Sequence, residues 1–289
     1  MRKKSSLLAI LALIMSLPFA HAKVCKKDEK DPACTKFYES DAAGVRLEGS
    51  TSVFNTLISP NKDDLQQKIK YFSRDTGSGR GVLALIKGSA DVAMISASLG
   101  TILEQINNTR GSSHKLEEFM VHPLGFVEVA VIVNANNPIA QQKAGALSAR
   151  ELKRILVGRA EKWYDVGVDR DSDILLVTES EGGGIRSVVQ ETLMKNNPYW
   201  SETRMLAKAS QINNLVHQHP SAIGLVSSAQ VKDTVVRLNV RDFKIYQSLA
   251  LVTRGRPSPE NQRFIDILTG YAKDNPNVVD QQPDVIYKD

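Results

Sequence analysis

The sequence is poor in cysteine: its 289 residues contain two, Cys25 and Cys34. That number excludes a four-thiolate zinc site and a disulfide-dense scaffold. Aromatic residues make up only 6%. None interleaves with the N-terminal basic cluster Lys23, Lys26, Lys27, Lys30 and Lys36, itself mixed with Asp28, Glu29 and Asp31, to serve as a base-stacking platform, so that cluster reads as a solvated segment and not a nucleic-acid arm. No internal repeat and no low-complexity linker interrupts the chain. Catalytic signatures are missing too. There is no Walker A lysine motif, and Thr76 stands where a nucleophile elbow around Ser78 would need glycine. Gly182-x-Gly184-x-x-Ser187 lacks the third glycine and the acidic partner of a dinucleotide fingerprint. His217 and His219 have no third metal ligand nearby, and His114 and His122 have no evident Ser or Cys partner. These absences predict no enzyme, no metal and no cofactor.

What is present is ordinary for a globular protein: 42% apolar and 24% charged residues, with length for one large domain or two modest ones. The first residues carry a targeting pattern. Arg2, Lys3 and Lys4 precede an apolar run from Leu7 to Leu17, too short to span a bilayer comfortably, and Ala20-His21-Ala22 supplies a small-x-small cleavage site. Residues 1–22 are therefore expected to be a secretory signal. Its removal takes three positive charges from the formal +5 and leaves +2, so much of the basic excess belongs to the signal. Ala22-Lys23-Val24 before Cys25 does not fit lipid attachment. In an exported protein Cys25 and Cys34 are expected to pair, stapling a short loop around Asp31-Pro32.

Along the mature chain, strand-like and helix-like segments alternate. Val45–Glu48, Ala90–Ile95, Phe126–Val133, Ile174–Val177 and Ala222–Val226 read as strands. Helices are expected over Val53–Leu57, near Asp63–Tyr71, over Val82–Ile86, Ile185–Met194, Ile212–Gln218 and Glu260–Tyr271. A further helix follows Ser148-Ala149-Arg150-Glu151, a capping box, and stops at Gly158. The alternation predicts an α/β fold with sheets covered on both faces, arranged as two lobes with the C-terminal part returning to the first.

Three glycine- and serine-rich turns stand at strand ends or helix starts: Gly49-Ser50-Thr51-Ser52, Gly77-Ser78-Gly79 and Gly182-Gly183-Gly184-Ile185-Arg186-Ser187. Unpaired N–H groups and the helix dipole favour an anion at such a place, glycine admits close approach, and hydroxyls donate further bonds. One such turn is usually a helix cap; three raise the odds of a shared anion cleft.

The order Gly49-Ser50-Thr51, Gly77-Ser78-Gly79-Arg80-Gly81-Val82 and Gly88-Ser89-Ala90-Asp91-Val92-Ala93-Met94 resembles the periplasmic phosphate-binding proteins of ABC transporters, within the type II solute-binding superfamily. Val131-Ile132-Val133-Asn134 with Asn137-Pro138, Leu147-Ser148 with Glu151-Leu152, and Ala222-Ile223-Gly224 fit the same pattern. The resemblance implies a two-lobed fold with two crossovers and a ligand cleft between the lobes. It divides the chain into signal 1–22, N-terminal segment 23–44, lobe 1 at 45–127, lobe 2 at 128–242, and a return to lobe 1 at 243–289. It implies ligand contacts at Ser50, Thr51, Ser78, Ser96, Gly183, Gly184 and Arg186, with phosphate or another small oxyanion as ligand. The implied partner is a membrane permease, and the implied state a periplasmic or secreted monomer. The alternative is a sensor or surface interaction protein that keeps the fold without transport.

The chain also departs from that pattern. Ser96 stands where the family usually has an aspartate that accepts from protonated phosphate and helps reject sulfate. Two hydroxyl donors are missing from the third turn, and Glu179 stands where some members have an arginine. Poorer discrimination of phosphate from sulfate is expected.

Overall fold

Strand β1 (Val45–Gly49) lies between two parallel neighbours, β2 (Tyr71–Arg74) and β3 (Val92–Ile95). The computed structural model describes residues 44–142, 146–181, 183–199, 204–242 and 244–281. The expected signal segment, Cys25, Cys34 and Gly182 lie outside the described residues. All four residues of β3 are buried, as an interior strand with both faces covered requires. Val92 and Met94 face one core with Leu47, Leu251 and Phe264, while Ala93 and Ile95 face another with Val82, Leu85 and Ile102. Helices α1 (Thr51–Val53, continuing as a π-turn through Phe54–Ile58), α2 (Lys62–Lys68), α3 (Ser78–Ile86) and α4 (Leu99–Arg110) supply the side chains that cover this sheet.

The crossing between lobes is one 16-residue strand, β4 (Phe119–Asn134). Residues 119–128 pair antiparallel with β10 (Tyr246–Arg254), which also pairs with β3. Val129–Asn134 pair instead with β8 (Ala222–Ser227) and β9 (Val235–Arg241). The same strand is thus the outer strand of one lobe and an interior strand of the other. From Val129 on it is buried throughout and reads as a continuous apolar run; its first half is mixed, with Met120, Val121 and Pro123 exposed, and it tolerates Pro123, which cannot donate to a ladder. This is why sequence reading places the strand at 126–133 and misses its beginning.

Lobe 2 has the strand order β5-β9-β4-β8-β6-β7, with β5 (Ala146–Ser148), β6 (Leu175–Glu179) and β7 (Arg204–Ala207). Among the described residues its α-helices are the short α5 (Pro138–Gln142), α6 (Ala149–Leu156), α7 (Gly184–Thr192) and α8 (Ile212–Gln218). The expected capping box starts α6: the Glu151 N–H donates to Ser148 Oγ at 3.2 Å and the Ser148 N–H to Glu151 Oε2 at 2.9 Å. Leu152, Ile155, Trp163, Leu176, Ile185 and Val189 share one core, and Ile132, Val177, Ile212 and Val216 another. Each fully buried aliphatic side chain contributes about 1.5–3 kcal/mol by burial. The final helix α9 (Pro259–Asp274) packs Phe264, Ile265 and Leu268 into the same core as Val45, Leu47 and Val92.

Some local expectations differ from the structure. The helix near 63–71 stops at Lys68, because Tyr71 opens β2 beside β1. Strands β2, β5, β7, β9 and β10 and helix α4 were not assigned from sequence; β2, half-buried along its whole length, lacks the alternation that would mark it.

Candidate functional site

The lobe 1 half of the site begins with a turn that only glycine permits. Gly49 has φ of 143°, and a Cβ there would lie 2.1 Å from the Met94 carbonyl oxygen. The chain turns against β3, and the Ser50 N–H donates to that carbonyl at 2.8 Å. Ser50 Oγ caps α1, accepting from the N–H groups of Ser52 and Val53 at 3.2 and 3.3 Å. Its own proton goes to Ser96 Oγ at 2.8 Å. Ser78, at the head of α3, accepts from the Ser96 N–H at 3.0 Å and lies 3.4 Å from Ser96 Oγ. Three hydroxyls from three elements therefore gather at the end of β3, each no more than 3% exposed. Thr51 is adjacent and buried.

Two glutamines bond to this half, Gln230 from the turn after β8 and Gln247 from β10. Gln230 Nε2 donates to the Thr51 carbonyl at 3.3 Å, and Gln247 Nε2 donates to Ser52 Oγ at 3.1 Å. Gln247 is fully buried. Sequence reading did not single out either residue; nothing in a lone glutamine signals a partner 179 or 195 positions away.

The lobe 2 half is built where β6 meets α7. Glu179 ends the strand, and its Oε2 accepts from the N–H groups of Ile185 and Arg186 at 2.9 and 3.1 Å. The helix dipole favours a carboxylate at this position. Gly183 makes room for it: a Cβ there would lie 2.4 Å from the same oxygen. Arg186 turns back over this unit. Its Nη1 donates to the Glu179 carbonyl at 3.1 Å, its Nη2 lies 3.9 Å from Glu181 Oε1, and its guanidinium stacks 4.9 Å from the Tyr199 ring centre. Burial pushes the Glu179 carboxyl above its ordinary range, against the pull of the two N–H donors and the Arg186 charge. Burial likewise pushes the Tyr199 phenol up.

The halves meet at Gly184 and Ser96. A Cβ on Gly184 would lie 2.1 Å from Ser96 Oγ and 2.8 Å from the Ser96 carbonyl. The structure thus brings Ser50, Ser78, Ser96 and Gly184 together with Thr51 alongside. Gly183 and Arg186 stand one step behind, gathered around Glu179. Sequence reading noted Glu179 only as a departure and left it out of the site. An acid at a strand end, a few residues before a glycine turn and a helix start, is the signal that could place it.

The arrangement offers hydrogen-bond donors and acceptors and no assembled nucleophile. Among the described residues no group of three or more His, Cys, Asp and Glu could hold a metal ion. Also among them, no helix is long and apolar enough to cross a membrane.

Two α/β lobes joined through the crossing strand β4, with the Gly184 turn of lobe 2 against Ser96 of lobe 1, make a two-lobed fold with a seam between its lobes. The family profile of the PBP superfamily domain matches residues 38–253, and the chain belongs to that superfamily. No curated protein sequence matches it. Solved structures do. A phosphate ABC transporter substrate-binding protein of Clostridium perfringens, solved with bound phosphate, superposes with a TM-score of 0.68 at 19% identity, covering 82% of this chain and 99% of that one. An ABC-type phosphate transport receptor of Vibrio cholerae gives 0.57 at 20% identity, with 81% and 99% covered. The effector-binding domain of QuiR in complex with shikimate gives 0.56 at 13% identity, with 81% and 99% covered. At these identities the likeness is one of fold, that of a type II periplasmic binding protein.

Proposed function

We propose that the protein is an exported solute-binding protein that captures phosphate or another small oxyanion between its lobes and delivers it to an ABC-type permease. The observation that carries this reading is the contact of Gly184 with Ser96, at the point where Ser50 and Ser78 also converge. A ligand seated there would touch both lobes, and lobe closure would then depend on it. Backbone N–H groups at the head of α3 and the serine hydroxyls would hold the anion, with the Gly183-Gly184 turn beside them, and Arg186 would supply the full positive charge. Ser50, Thr51, Ser78, Ser96, Gly183, Gly184 and Arg186 are the proposed contacts. Residues 1–22 would direct export, and Cys25 and Cys34 would pair in the oxidising compartment.

Thermal unfolding with phosphate, sulfate, molybdate and small organic phosphates tests this. A ligand at about 100 times its Kd adds about 2.7 kcal/mol, a midpoint shift of several degrees at roughly 2–4 °C per kcal/mol. Arg186→Ala should weaken binding roughly 10- to 100-fold, the equivalent of about 1.5–3 kcal/mol for a charge-assisted bond. If no anion moves the midpoint, the oxyanion reading fails. A second reading, a sensor or interaction protein on the same scaffold, draws its support from Glu179, because an internal carboxylate already satisfies the N–H donors of α7.

A further inference from the structure

The cleft holds one acid that the proposed function does not use. Glu179 is 7% exposed, and its Oε2 accepts from both Ile185 and Arg186 N–H groups. Those are the donors that the head of α7, a nine-residue helix, would otherwise offer to a ligand oxygen. Gly183 leaves the space the carboxylate fills, since a Cβ there would also come within 2.6 Å of Glu179 Cβ. The next residue, Gly184, is in contact with Ser96, so this filled seat borders the point where the lobes meet. The groups around the carboxyl are Arg186, bonded to the Glu179 carbonyl, Glu181 beside the guanidinium, and the Tyr199 ring beneath it.

We infer that Glu179 is the specificity-determining residue of the cleft: its carboxyl oxygen occupies the lobe 2 oxyanion seat and keeps sulfate and doubly charged phosphate out. The inference rests on the oxyanion reading above and narrows its ligand class to singly charged oxyanions. Two effects act together. The oxygen removes two N–H donors from the ligand, which cannot recover them without expelling the side chain. When ionised, the carboxylate also repels a second negative charge brought within a few ångströms in a poorly solvated site. A singly charged anion can be held by the lobe 1 hydroxyls and the head of α3, with Arg186 as its cation and without the two N–H groups that Glu179 occupies, and it meets half the repulsion. The consequence reverses the expectation from Ser96 alone: sulfate is rejected from the lobe 2 side, although the lobe 1 acid is missing.

Calorimetric titration of the mature protein with sulfate, and with inorganic phosphate at pH 5.5 and pH 8, tests the inference on wild type, Glu179→Ser and Glu179→Gln. Glu179→Ser frees the seat and the charge, and should bind sulfate at least about tenfold more tightly than wild type. Glu179→Gln leaves an oxygen in the seat and removes only the charge, so it should gain less, and it serves as the folded control if the serine variant proves unstable. Wild type should bind phosphate more tightly at pH 5.5, where the singly charged form dominates. If wild type binds sulfate as well as the folded variants do, Glu179 does not determine specificity, while the oxyanion reading stands. If wild type binds phosphate and both variants lose it, Glu179 is a ligand-positioning group and the inference is overturned. If no anion binds any of the three proteins, both the inference and the reading beneath it fall.

Discussion

Lobe 1 brings hydroxyls to the cleft and lobe 2 brings ions. Ser50, Ser78 and Ser96 are neutral and short, and Ser96 bonds to both of the others; Ser50 and Ser96 follow the paired strands β1 and β3, and Ser78 heads α3. Glu179, Glu181 and Arg186 are ionisable, and the contacts among them lie within one strand-turn-helix unit. A neutral hydroxyl can turn from donor to acceptor as a ligand enters, so the lobe 1 half adapts at little cost. A buried carboxylate on two N–H groups cannot do so without breaking both bonds. The comparison suggests that lobe 1 supplies the general capacity to hold oxygen atoms and lobe 2 decides which charge is admitted.

Two glycines make the sharpest test of that division. Gly49 and Gly184 would each place a Cβ 2.1 Å from an oxygen, but Gly49 meets Met94 of its own lobe and Gly184 meets Ser96 of the other. Gly49→Ala cannot be relieved without breaking β1 from β3, and its φ of 143° strains any other residue. It should cost about 3 kcal/mol or more in urea unfolding, the largest effect predicted here. Gly184→Ala can be relieved by moving the lobes apart. It should leave the unfolding midpoint closer to wild type, increase the radius of gyration in solution scattering and weaken anion binding by tenfold or more, about 1.4 kcal/mol. Equal destabilisation by both substitutions would mean that the lobes do not move as separate bodies.

A smaller effect separates capping from binding. Ser50→Ala removes the cap of α1 and one member of the hydroxyl cluster, while Ser148→Ala removes the capping box of α6, which lies outside the cluster. Each should lower stability by about 1 kcal/mol. Only Ser50→Ala should also reduce the ligand-induced shift in unfolding temperature. Equal loss of that shift in both variants would remove Ser50 from the site.

The parts of this molecule legible in sequence are those governed by local rules. The Ser148–Glu151 box, the buried run of β4 and the helix over Ile212–Gln218 each carry their signal within a few residues. The glycine turns were visible as turns, and their order along the chain pointed to the fold. What sequence reading could not supply was pairing between distant segments. Strand β10 has Gln247 and Ser248 among its apolar residues, so it shows no clean period, and it is defined by lying between β3 and β4. Arg186 is legible as a ligand contact that the resemblance implies, yet its position over Tyr199 and against Glu179 depends on how the turn closes. Glu179 itself was legible as an unusual residue, but its role depends on the hydrogen bonds its carboxyl makes after folding.

The smallest expected effect concerns the proton on Glu179. Burial holds its carboxyl above the ordinary value of 4.5, so the folded chain keeps that proton more tightly than the unfolded chain does. The stability this group contributes is therefore complete below about pH 4.5 and is lost as pH rises through the raised value. Other acids act in the opposite sense: hydrogen bonds hold Asp165 and Glu118 below their ordinary range. Those groups remain in Glu179→Gln, so the difference between wild type and this variant isolates Glu179, with Arg186, Glu181 and Tyr199 still around it in both proteins. Urea unfolding at a series of pH values from 4.5 to 8 should show wild type losing stability relative to Glu179→Gln as pH rises. A difference that stays flat, or that grows in favour of wild type, would mean that the two N–H bonds and Arg186 outweigh burial. Glu179 would then be ionised throughout this range, and lobe 2 would hold a permanent negative charge at the mouth of the hydroxyl cluster.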